Sequence, residues 1–139
     1  QSYKEMVAHL AMAMGGRVAE ELIFGDENVT SGAAADIQQA TRIARAMVMQ
    51  YGLSKRVGTV CYHEPDQDYF SKTHVSQETQ QLIDAEVKRI IDDAHETATK
   101  ILTKKRKDLD TIANALLEYE TLSGEELKDV LAGKIPIRD

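Results

Sequence analysis

Cysteine, proline and tryptophan are scarce in this chain of 139 residues, which has one cysteine, two prolines and no tryptophan. Cys61 alone cannot form an intrachain disulfide, and such sparing use of cysteine is typical of a reducing compartment. The two prolines leave long stretches free to form helices. With only two Phe and five Tyr, the core is predicted to consist of aliphatic side chains and alanines.

Long apolar runs are also absent. No segment approaches the ~20 consecutive apolar residues that a transmembrane helix needs, and no signal peptide opens the chain. We therefore expect this chain to be soluble. The net charge of −6 argues against non-specific binding to nucleic acid. A content of 42% hydrophobic and 29% charged residues is ordinary for one soluble globular domain.

Helical periodicity dominates what the sequence does contain. Apolar residues recur every three or four positions near residues 2–24, 31–52, 76–105 and 109–122. A capping box that begins at Ser123 predicts a short further helix, and segment 57–62 has the composition of a short strand or an extended loop. The predicted fold class is therefore all-α, a helical bundle of about five helices with at most one short strand element.

Two adjacent glycines, Gly15 and Gly16, stand in the middle of the first predicted helix. Together they cost ~1–2 kcal/mol of helix stability relative to alanines. Either the helix kinks at this point, or another segment approaches its backbone closely. The apolar stripe stays in phase across both glycines, which favours close packing.

Asp36 does not fit a plain amphipathic helix. The second predicted helix has Ser31 as its expected N-cap and Gly52 just past its end. Asp36 lies in its first turns, beside Ile37 and one turn before Ala40. A carboxylate there gains from the positive end of the helix dipole, but helix stability does not require it at the edge of the apolar face. Asp36 either caps the helix locally or points at a positive group.

The same part of the chain carries a family resemblance. Its motifs are GGRVAEE at residues 15–21, SGA at 31–33 followed by Asp36, and AT, AR, MV and YGLS between residues 40 and 54. These motifs resemble the FtsH family of membrane-anchored, ATP-dependent zinc metalloproteases. The resemblance covers essentially the whole chain, but only the C-terminal part of the family's protease domain. It implies that Asp36 is the third protein ligand of a catalytic zinc ion.

The other two zinc ligands of that family are histidines of an H-E-x-x-H helix, which this chain does not contain. No histidine of this chain is followed four positions later by a second one, and residues 95–99 (HETAT) fail at the last position. The two histidines must lie one helical turn apart to reach one metal, with the glutamate as general base. We therefore expect residues 1–139 to be a fragment that lacks the H-E-x-x-H helix and the ATPase module and is inactive alone.

Glu20 is the candidate for a residue that orients a ligand without binding the metal itself. The neighbouring Glu21 has a simpler interpretation, because Arg17 stands four residues before it and could pair with it on the helix surface. Cys61 and His63 alternate as C-x-H, but a metal site needs further ligands and none lies near in sequence. We interpret them as a half-buried thiol and a loop histidine. His9 and His95 are predicted to be structural.

The resemblance implies that the intact protein degrades membrane and soluble proteins as a homo-hexameric ring, using zinc in its peptidase site and ATP in the absent module. Segments outside this chain would anchor it in a bacterial inner membrane facing the cytoplasm, or in an organellar inner membrane. The alternative hypothesis is a non-catalytic helical interaction or oligomerisation module that needs neither metal nor ATP.

Overall fold

The computed structural model of the protein describes residues 1–62 and 75–136. Within these residues the chain forms five α-helices and no strand, so the predicted all-α class is confirmed. The predicted loop 63–74, with His63 and His74, lies outside the described residues. The helices are α1 (Tyr3–Phe24), α2 (Ala34–Arg45), α3 (Gln77–Lys104), α4 (Arg106–Tyr119) and α5 (Gly124–Leu131).

Helix α1 begins where the sequence predicts, because the Ser2 hydroxyl accepts a hydrogen bond from the Glu5 amide at 3.1 Å. The helix continues unbroken through Gly15 and Gly16, so the predicted alternative of a helix break does not apply. It ends at Gly25, whose φ of 81° lies in the left-handed region. Its buried side chains recur every four residues and form one stripe: Met6, Leu10, Met14 and Val18.

The entry to α2 differs from the prediction. Thr30, not Ser31, is the cap: its hydroxyl accepts a hydrogen bond from the Gly32 amide at 3.2 Å. A single 3₁₀ turn, Ser31–Ala33, then leads into α2. The prediction of Ser31 was wrong because the chain enters the helix through this tighter turn, which moves the cap one residue earlier.

The end of this segment widens into a π-helical turn, Ala46–Gln50, in which the Tyr51 amide bonds to the Ala46 carbonyl at 2.9 Å. A turn of this kind holds one residue more than an α-turn, so later side chains leave the apolar stripe. Tyr51, which the periodicity places on that stripe, is accordingly 54% exposed. Gly52 ends the segment as predicted. Its φ is +60°, and a Cβ at this position would lie only 2.9 Å from the Thr59 backbone.

The core lies between α1, α2 and α3, which pack against one another, whereas α4 and α5 pack chiefly against each other. Small alanines on α2 and α3 let these helices approach closely, as the scarcity of aromatic residues predicts. The fully buried positions of the α2 segment are Ala40, Ala44, Met47 and Val48. No helix of the described residues is both long and apolar enough to cross a membrane.

Glu86 is a buried carboxylate that periodicity alone did not reveal. It lies on the apolar stripe of α3, three residues after Ile83 and four before Ile90, and is 1% exposed. Arg89 donates to its Oε2 at 2.6 Å. Its Oε1 lies 3.6 Å from Arg56 Nε and has no hydrogen-bond partner among the described residues. A polar residue on an apolar stripe was the available signal for this pair.

Candidate metal centre

Asp36 lies in the first turn of α2, half-buried, with its side chain against the backbone of α1. A Cβ added at Gly16 would lie 3.2 Å from Asp36 Oδ2, closer than a comfortable van der Waals contact. The close approach that the glycine pair predicts is therefore confirmed at Gly16. At Gly15 an added Cβ would meet nothing within 4 Å, so only one glycine of the pair serves this purpose.

Capping does not account for Asp36. The hydroxyl of Thr30 caps the turn that precedes α2. Within residues 1–62 and 75–136, the Asp36 side chain has neither a hydrogen bond nor an ion pair. A half-buried carboxylate with unused acceptor capacity is suited to accept a cation or a metal ion.

Glu20 holds the connection that leads into α2. Its Oε1 accepts a hydrogen bond from the Thr30 hydroxyl at 2.8 Å, and its Oε2 accepts one from the Thr30 amide at 3.2 Å. The same Thr30 hydroxyl accepts from the Gly32 amide. These three bonds tie α1 to the start of the Asp36 helix. The sequence singled out Glu20 but did not identify Thr30 as its partner, because the two lie on different elements.

Glu21 has different partners from Glu20, one on α1 and one on α3. Arg17 Nε donates to its Oε1 at 2.9 Å, as the spacing predicts, and His95 Nε2 lies 2.9 Å from its Oε2. Burial acts to raise the pKa of Glu21, but the hydrogen bonds from Arg17 and His95 outweigh it and hold that pKa below its ordinary value. His95 therefore connects α3 to α1, a structural role that the sequence anticipated without naming the partner.

Those remaining candidates that the structure describes do not converge on Asp36. Cys61 is exposed, so its interpretation as a half-buried thiol was wrong, and His63 lies outside the described residues. His9 contacts Gln1, with 3.3 Å between Nδ1 and the amide nitrogen. Across the described part of the chain, no group of three or more His, Cys, Asp or Glu side chains could hold a metal ion. This part of the chain therefore supplies no complete zinc site, which needs three or four protein ligands.

Comparison with known proteins agrees with the resemblance. The sequence profile of Peptidase family M41 matches residues 1–130. The chain is 51% identical over 143 aligned positions to a protein of Caulobacter vibrioides (strain NA1000 / CB15N). That alignment covers 99% of this chain and 23% of the relative. A protein of Neorickettsia risticii (strain Illinois) is 53% identical over 131 positions, covering 94% of this chain and 20% of the relative.

A protein of Chloroflexus aggregans (strain MD-66 / DSM 9485) is 44% identical over 143 positions, covering 99% of this chain and 22% of the relative. All three relatives are named ATP-dependent zinc metalloprotease FtsH. The chain spans less than a quarter of the length of these curated relatives. The match over nearly its whole length confirms the resemblance that the motifs indicate: the chain belongs to Peptidase family M41.

Proposed function

We propose that this chain is the C-terminal helical part of the peptidase domain of an ATP-dependent zinc metalloprotease, and that Asp36 is one of its zinc ligands. The observation that carries the proposal is the state of the Asp36 carboxylate. It is half-buried against Gly16, does not cap its helix, and has no polar partner among the described residues. The names of the relatives support the same activity for the complete protein.

The rest of the site must come from outside residues 1–139, because the sequence contains no H-E-x-x-H motif. Gly16 is exposed, so the surface beside Asp36 is open to groups from another part of the polypeptide. Two neutral imidazoles and one carboxylate leave a fourth position of zinc for water. A zinc ion held by Asp36 and by ligands from outside residues 1–139 would supply a Lewis acid that lowers the pKa of a bound water, so that hydroxide becomes available as a nucleophile near neutral pH.

In this proposal, the residues of this chain supply one charged ligand and hold it in position. Asp36 supplies a negative oxygen ligand from the first turn of α2, a helix that is anchored in the core by Ala40 and Ala44. Glu20 acts through Thr30, which it holds by two hydrogen bonds, and thereby fixes the turn that precedes Asp36. Glu20 is therefore a positioning residue in this proposal and does not touch the metal.

The complete protein would use ATP in a separate module to feed protein substrates to this site. We include in the proposal a homo-hexameric assembly and a membrane anchor outside residues 1–139, both implied by the family. The compartment would be a bacterial inner membrane facing the cytoplasm or an organellar inner membrane. The sequence motifs support these statements, whereas the competing hypothesis of a non-catalytic helical module requires neither zinc nor proteolysis.

The test is Asp36→Asn in the complete protease. Zinc content and peptide hydrolysis are measured, with ATP hydrolysis as the control for an intact ATPase module. Loss of a charged ligand weakens zinc binding and abolishes peptide hydrolysis, whereas ATP hydrolysis continues. In the chain of 139 residues the same substitution should change stability by less than about 1 kcal/mol, because only a helix-dipole contribution is lost. Normal zinc content and normal proteolysis in Asp36→Asn would contradict the role of Asp36 as a zinc ligand and leave it the role of a helix-stabilising carboxylate.

A further inference from the structure

Gly15 and Gly16 are chemically identical neighbours in the middle of α1, but their surroundings differ. A Cβ at Gly15 would enter open space, whereas a Cβ at Gly16 would come within 3.2 Å of Asp36 Oδ2. Neither residue has a positive φ, so the conformational freedom of glycine is not used at either position. Any need for glycine at position 16 must therefore come from the space that the missing side chain leaves.

That space is occupied by a carboxylate whose own backbone cannot easily retreat. The α2 segment behind Asp36 is fixed in the core by fully buried Ala40 and Ala44. In front of Asp36, Thr30 is held to α1 through Glu20 at 2.8 Å. A methyl group at position 16 would require Asp36 Oδ2 to move by a few tenths of an ångström, and because the backbone on both sides is held, the Asp36 side chain is the part that moves.

We propose that Gly16 is a positioning residue for Asp36: the absence of a side chain at this position lets the carboxylate lie against the α1 backbone in the orientation that ligates zinc. The inference rests on the function proposed above for Asp36. It assigns the two glycines different roles. Gly16 sets the direction of a metal ligand, and Gly15 does not.

Gly15→Ala provides a matched control for Gly16→Ala, because both substitutions add the same methyl group to the same helix and both raise its intrinsic helix propensity. In the 139-residue chain, both variants should unfold at or above the melting temperature of the native chain. The ¹³C chemical shift of the Asp36 carboxyl should change in Gly16→Ala and stay unchanged in Gly15→Ala. This measurement needs neither zinc nor activity. Equal carboxyl shifts in the two variants would overturn the proposal.

In the complete protease, zinc affinity is then compared for the two alanine variants and Asp36→Asn. We expect Gly16→Ala to lose about 10–100-fold in zinc affinity, the range seen when groups that orient a ligand are disturbed. Gly15→Ala should stay within twofold of the native protein. At saturating zinc, kcat of Gly16→Ala should fall while KM for a peptide changes little, since the added methyl group acts on Asp36.

The outcomes separate the two proposals. If Asp36→Asn loses zinc but Gly16→Ala binds it as tightly as Gly15→Ala does, the positioning role is refuted and the ligand role survives. If Asp36→Asn retains normal zinc, the ligand role fails and the positioning role fails with it. Loss of zinc in Asp36→Asn and Gly16→Ala, with normal zinc in Gly15→Ala, supports both.

Discussion

Arg89→Met and Glu86→Leu break the same ion pair. Because the Glu86 carboxylate is buried, we expect the two substitutions to lower the free energy of unfolding by different amounts. Its side chain is 1% exposed, and Arg89 Nε donates to Oε2 at 2.6 Å. Arg89→Met leaves this carboxylate buried, with Arg56 Nε at 3.6 Å as its nearest cation. Glu86→Leu instead removes the charge together with the Oε1 atom that has no hydrogen-bond partner among the described residues.

The expected magnitudes follow from burial. Removing one partner of a fully buried ion pair costs about 3–5 kcal/mol. Because the Arg89 side chain is 45% exposed, water can partly solvate the carboxylate once the guanidinium is gone. We therefore expect Arg89→Met to lower the free energy of unfolding by roughly 2–3 kcal/mol. A leucine at position 86 would join Ile83 and Ile90 on the buried stripe, so Glu86→Leu should stay within about 1 kcal/mol of the native chain.

Urea unfolding followed by circular dichroism at pH 7 measures both variants and the double variant. Arg89 also contacts exposed Asp93 at 2.9 Å, and Asp93→Asn serves as the control, with an expected loss below about 0.5 kcal/mol. In the Glu86→Leu background, Arg89→Met should change the free energy of unfolding little further. Equal losses in the two single variants, or an Arg89→Met variant as stable as Asp93→Asn, would refute this account of the buried pair.

Three further predictions concern other parts of the chain. Because the pKa of Glu21 is lowered in the folded state, its contribution to stability is present above its unfolded value of 4.5 and is lost as pH falls through the lower folded value. Urea unfolding from pH 6 to pH 3 should therefore show a smaller acid-induced loss in Glu21→Gln than in the native chain, and equal losses would contradict the assignment. Gly52→Ala should lower the free energy of unfolding by at least about 1 kcal/mol, because φ is +60° and the new Cβ would lie 2.9 Å from Thr59 Cα. Gly124→Ala, which meets open space, is the matched control, and similar losses would argue against strain at Gly52. The purified chain should not hydrolyse casein in zinc buffer, since the base glutamate and the histidine ligands are missing; hydrolysis that survives removal of trace proteases would disprove this.

Local patterns in the sequence were sufficient for the helices. Periodicity predicts that five helices exist, and side-chain caps set the starts of α1, α3 and α5; α4, which has no side-chain cap, runs from Arg106 to Tyr119 and not over the predicted 109–122. Helix α5 is the clearest case: the Ser123 hydroxyl accepts from the Glu126 amide, and Glu126 accepts from the Ser123 amide, as the capping box requires. Segment 57–62, by contrast, forms no strand among the described residues, although its composition allowed one.

Tertiary packing decided the details of the candidate site. The sequence marked Asp36 and the pair of glycines, but only the packing of α2 on α1 shows that Gly16, and not Gly15, faces the carboxylate. Glu20 meets Thr30 across ten positions, and Glu21 meets His95 across 74 positions. The periodicity of a single helix relates residues three or four positions apart, so it cannot predict contacts over such sequence separations.

The sequence by itself determined the fold class, the ends of most helices and the family, because these depend on near neighbours and on contiguous motifs. Only the tertiary structure decided which polar groups lie inside. The burial of Glu86, the position of Asp36 against Gly16 and the bond between α1 and α3 through His95 all require helices far apart in sequence to be packed at a set distance. That distance follows from the combined shape of the buried side chains, and the polar pairs form where this packing brings donors and acceptors together.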